Sequence, residues 1–135
     1  MFYLTKIENG RINTPEPLSI ATTPGTAYKS GDALKIASGA LVQCAATDKP
    51  THVALETYTA PATGNRALTV ARVSPDMLFE APTSAAPAAA GAKVKLAVNA
   101  DHADGVSADT TSGVATIVST NGATAAGDKV IVRFD

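Results

Sequence analysis

Glycine and proline turn signals divide the chain into pieces too short for anything but strands. They fall at Asn9-Gly10, Pro24-Gly25, Gly31-Asp32, Gly39, Lys49-Pro50, Gly64-Asn65, Ser74-Pro75-Asp76, Gly91, Asp104-Gly105, Gly113, Asn121-Gly122 and Gly127-Asp128. Between them apolar residues recur at every second position: Leu34/Ile36, Val53/Leu55, Leu68/Val70, Met77/Phe79, Val94/Leu96/Val98, Val114/Thr116/Val118 and Val130/Val132/Phe134. A period of two puts alternate side chains on one face of an extended chain, so these segments read as half-buried strands. The expected fold is all-β: a small single-domain barrel or β-tulip-like body with an extended Pro-rich N-terminal arm.

Size and composition narrow this further. A chain of 135 residues is one domain's worth. We divide it into an N-terminal hairpin or arm (residues 1–30), front strands (31–79), a Pro/Ala-rich loop (80–93) and back strands (94–135). Of the 45 % hydrophobic residues many are alanine, and only 4 % of the chain is aromatic, so the core is small and apolar burial between copies or against a partner adds to stability. The formal charge is −1 and no basic run occurs, which removes the electrostatic ground for binding nucleic acid or an anionic membrane. The lone Cys44 has no intramolecular partner for a disulfide. Lys6 and Glu8 interrupt the apolar run that a signal peptide needs, and no stretch is long and apolar enough for a membrane-spanning helix.

Three segments depart from the strand pattern or echo one another. Phe2, Leu4 and Ile7 lead into the hairpin signal Asn9-Gly10, followed by Arg11, Ile12 and the prolines 15, 17 and 24, which favour an extended arm on the domain edge or towards a partner. Glu80 to Lys93 is rich in helix-favouring alanine but is broken by Pro82, Pro87 and Gly91, and it carries no large apolar side chain to anchor a helix; it reads as an exposed loop. Gly31-Asp32, Gly91-Ala92 and Gly127-Asp128 each precede a strand with two aligned apolar residues, which reads as a shared way of entering a strand rather than a repeat.

Residues with the chemistry for catalysis are scarce. There is no phosphate-binding glycine loop, no nucleophile elbow, no zinc motif and no pair of cysteines. The best metal candidate, Asp101-His102-Ala103-Asp104-Gly105 with Asp109, does not fit a calcium loop, because Ala100 falls where the first carboxylate must be; it reads as a polar hairpin loop. Cys44 reads as a small buried apolar residue, and His52 as a strand-start residue without a carboxylate partner. Glu56, Asp76, Glu80 and Asp128 show no glycosidase spacing. Arg66 and Arg72 flank the Leu68/Val70 strand, where they read as solvated or as partners for carboxylates of a neighbouring chain. No catalytic residue, metal site or cofactor is expected.

Taken in order, Ile7 to Asn13 with Pro15 and Pro17, Tyr28 to Leu34, Gly39 to Val42, Pro50 to Ala54, Arg72 to Glu80 and Ala126 to Phe134 resemble the small capsid decoration, or cement, proteins of tailed bacteriophages. The resemblance runs over nearly the whole chain and rests on order and spacing. It implies a non-enzymatic structural protein on the outer surface of the virion, made in the bacterial host cytoplasm, that binds the major capsid protein and clamps neighbouring subunits. It also implies a homotrimer at three-fold or local three-fold positions. The matching arm is roughly Met1 to Thr26, with Phe2, Tyr3, Leu4, Ile7, Arg11 and Ile12 as the expected capsid contacts and Arg66, Arg72 and Phe79 as intersubunit candidates. The Pro/Ala-rich stretch from Thr83 to Ala90 has no counterpart in that pattern. The competing expectation is a virion-surface β-domain that recognises a host receptor or carbohydrate, for which a chain without tryptophan offers few stacking surfaces; an enzyme comes third.

Overall fold

The computed structural model describes residues 1–8, 17–64 and 66–135. The hairpin signal at Asn9-Gly10, Arg11 and Ile12 lie outside the described residues. The front part of the chain forms β1 (Tyr3–Ile7), β2 (Leu18–Ala21), β3 (Ala27–Tyr28), β4 (Ala33–Ala37), β5 (Ala40–Gln43), β6 (His52–Ala54), β7 (Tyr58–Thr59), β8 (Ala67–Arg72) and β9 (Met77–Pro82). The back part adds β10 (Lys93–Val94), β11 (Leu96–Asn99), β12 (His102–Val106), β13 (Ala115–Ser119) and β14 (Lys129–Phe134). The described residues contain no helix.

Two five-stranded sheets dominate, with orders β1-β9-β14-β13-β10 and β2-β8-β6-β4-β5, and their ladders are antiparallel throughout. Two two-stranded sheets accompany them, the hairpin β11-β12 and the pair β3-β7. The second sheet is a middle layer, because its period of two sends neighbouring residues to different cores. Ala33 and Val53 enter a core with Phe79, Val130, Val132, Phe134 and Ile117 of the first sheet, whereas Leu34 and Ala54 enter one with Leu41, Leu68, Val70 and Tyr28. Phe134 anchors the first core: its ring lies 5.0 Å from that of Phe2, edge-on, and 5.3 Å from that of Phe79.

No closed barrel forms. The first sheet ends at β1 and β10, and the outer strands of the second meet only at a parallel bridge between Thr22 and Leu41. That contact curls the second sheet: Thr23 Oγ1 and the buried Tyr28 hydroxyl both donate to the Leu41 carbonyl, at 2.8 and 2.7 Å.

The structure moves three boundaries read from the sequence. In β13 the inward residues are Ala115 and Ile117, while Val118 is exposed; of the face expected from Val114, Thr116 and Val118, only Val114, just before the strand, packs against the core. A register shift between Ile117 and Ser119, opposite β14, accompanies this, and such irregularity changes which residues face the core. The Pro/Ala-rich loop begins three residues later than expected from the sequence, since β9 runs on to Pro82, with Ala81 fully buried and Thr83 bridged to Val106. The strand expected from Val94 to Val98 divides into β10 and β11, which belong to different sheets.

Candidate functional site

The N-terminal segment is built into the body of the protein. β1 pairs with β9, with Leu4 opposite Phe79 and Ile7 opposite Met77. Phe2 is 2 % exposed and sits in the first core, and its N–H donates to the Gly31 carbonyl at 2.9 Å. Phe2 therefore serves as an anchor for β1. Phe79 is likewise buried, with its ring packed on that of Phe134. Leu4 and Ile7 are half-buried against the same core, and Tyr3 is 63 % exposed.

Among the described residues no strand pairs with the other side of β1, and an apolar cleft of about 470 Å³ lies between it and the second sheet. Met1, Tyr3 and Leu55, the most exposed large apolar side chains on its rim, lie beside Phe2, Leu4 and Val53 within it. Gly31 lines the floor at φ +88°, and a Cβ there would fall 2.0 Å from the Met1 side chain, so only glycine allows this approach.

Next to Gly31 is the most connected buried polar group. Asp32 is fully buried, and its Oδ2 accepts from the Lys29 N–H at 2.8 Å, Gln43 Nε2 at 2.7 Å and His102 Nδ1 at 2.7 Å. Its Oδ1 and the Gln43 Oε1 are buried without a partner among the described residues. The carboxylate fixes Nδ1 as the proton-bearing nitrogen of His102. His102 thus belongs to a strand and a buried hydrogen-bonded cluster; it is not the loop residue its surroundings in sequence imply. Among the described residues no hydroxyl or thiol is bonded to its ring, and the pair ties β12 to the turn before β4. Among the described residues no group of three His, Cys, Asp or Glu is placed to hold a metal ion. Cys44 is buried, and that burial pushes its thiol up to about 12, far from reactivity.

The two arginines sit at opposite ends of β8. Arg66 is over the Tyr58 ring at 3.8 Å, with Nη1 3.4 Å from Glu56 Oε1. Arg72 is exposed at the rim of a second cleft of about 710 Å³, together with Lys35, Lys49 and His52. The His52 ring is buried, its Nδ1 is 2.9 Å from Thr51 Oγ1, and burial followed by the nearby Arg72 charge lowers its pKa.

Sequence reasoning reached β1 and both arginines but missed Asp32, His102 and Gln43 as one cluster. The local role of Asp32 was legible: Asp32, Asp48 and Asp128 each accept the N–H three residues earlier, and two of them follow the Gly-Asp strand-entry pattern. Compared with protein-family models, curated proteins and solved structures, the chain matches none.

Proposed function

We propose that the protein is a non-enzymatic structural protein, a β-tulip-like body that decorates the outer surface of an assembled phage capsid by binding the major capsid protein and clamping neighbouring subunits. In this reading it is made in the host cytoplasm and sits on the virion as a homotrimer at three-fold or local three-fold positions. The observation that supports it best is the open edge of β1 beside an apolar cleft whose rim exposes Met1, Tyr3 and Leu55. Unpaired backbone N–H and C=O groups along an edge strand take an added strand from another chain, and the cleft takes its side chains. The extended arm is therefore not required to reach into the capsid; a capsid segment comes to β1. The ordered sequence features that resemble decoration proteins supply the identity of the partner.

The test is saturable cosedimentation of the purified chain with undecorated shells of major capsid protein. Tyr3→Asp with Leu55→Asp places two charges at the rim and is expected to weaken binding about tenfold or more, because a charge desolvated without a partner is costly. A folded wild-type chain that ignores competent shells contradicts the reading, and binding to a glycan array by that chain would support the receptor-recognition alternative in its place.

A further inference from the structure

The second sheet has a face that nothing in the decoration reading uses. His52 stands opposite both Leu34 and Arg72 in the ladders, and Leu18 stands opposite Val70. Because residues two apart share a face, Leu18, Ile36, His52 and Arg72 continue the inward face that carries Ile20, Leu34, Ala54, Leu68 and Val70. They emerge where that core opens to solvent. The curled sheet is filled at its other side by Tyr28 and Ala60, so the 710 Å³ cleft is its open mouth. Mouths of curled or closed sheets are common binding sites.

The mouth is amphipathic and unevenly charged. Leu18 and Ile36 are 39 % and 45 % exposed. Lys35 is paired with Asp48 at 2.6 Å, but Arg72 and Lys49 have no ion pair among the described residues. Two cations without an ion pair thus lie beside two exposed aliphatic side chains.

We propose that this mouth is a binding groove for an extended acidic segment of a partner protein, in which carboxylates alternate with aliphatic side chains. Arg72 and Lys49 hold the carboxylates of such a segment while its aliphatic side chains cover Leu18 and Ile36. The Arg72 guanidinium suits a carboxylate by bidentate hydrogen bonding. A nucleic-acid strand fits less well, since it needs a longer track of cations and stacking surfaces, and among the described residues the rings that line the cleft, Phe134 and His52, are both buried. The proposal does not depend on the decoration reading.

The test is an NMR titration of the full chain with an acetylated peptide of alternating glutamate and valine, with its glutamine-valine counterpart and with a single-stranded oligonucleotide. The expected result is saturable shifts at the Thr51 and His52 amides and the Arg72 side-chain N–H with the acidic peptide. Affinity is expected to fall about tenfold in Arg72→Gln combined with Lys49→Gln. Arg72→Lys is expected to recover part of that loss, and Lys93→Gln, an exposed cation elsewhere, to change nothing. Raising salt from about 0.05 to about 0.3 M should weaken binding several-fold. All three variants alter exposed side chains, and their amide spectra report whether the fold is kept. Absence of saturable shifts, equal affinity for the neutral peptide, indifference to the double substitution, or preference for the oligonucleotide would each overturn the proposal.

Discussion

Asp32 shows how a single side chain can join distant parts of a small β protein. Its carboxylate closes the turn before β4, holds Gln43 of β5 and holds His102 of β12. Asn at this position offers one acceptor in place of two and buries an amide N–H₂ where Oδ1 already has no partner. Asp32→Asn is expected to cost about 3 kcal/mol, read as a lower denaturant midpoint, because removing one member of a buried charged network leaves the others uncompensated. His52 gives a pH dependence. Its pKa is held below the ordinary 6.5 in the folded chain, so the unfolded chain binds more protons as the pH falls through that value. Stability therefore decreases with acidification below about pH 6.5 until the folded-state pKa is passed. In His52→Gln this part of the urea-midpoint profile should flatten, and an unchanged slope would assign it to other groups.

The strands were legible in sequence where one face is buried and the other is solvated. β14 is the clearest case, with Val130, Val132 and Phe134 buried and the residues between them less so. Three strand entries read from a Gly signal were also correct in physical terms, since Gly31, Gly91 and Gly127 have φ of +88°, +91° and +89°. The reading was incomplete where pairing over long distance decides the outcome. The facing of β13 depends on its register with β14, the continuation of β9 through Pro82 depends on β14 pairing alongside it, and the meeting of Asp32 with His102 depends on the whole chain path. The β11-β12 turn shows a related limit, as Ala100 and Asp101 both adopt positive φ in a two-residue loop without glycine. For β1, the role of Phe2 as anchor leads to a local prediction. Phe2→Ala removes the edge contact with Phe134 and should accelerate hydrogen exchange of the β1 amides far more than those of β8. Uniform acceleration across both sheets would show that β1 has no separable stability.

At the scale of the whole molecule, two sheets, two cores and one shared middle layer give a rigid body whose usable surfaces are edges and clefts between layers. The decoration reading uses the β1 edge, where backbone groups are open and apolar side chains are exposed. A protein that binds the assembled shell and not its ruptured form stabilises the shell by mass action, and modest energy per copy accumulates over many sites. The thermal rupture temperature of undecorated shells, measured with increasing amounts of the purified chain, tests this most directly. A rise that saturates at a fixed stoichiometry, in multiples of three per binding position, is the predicted result; an unchanged rupture temperature at saturating occupancy would contradict a role in stabilising the shell.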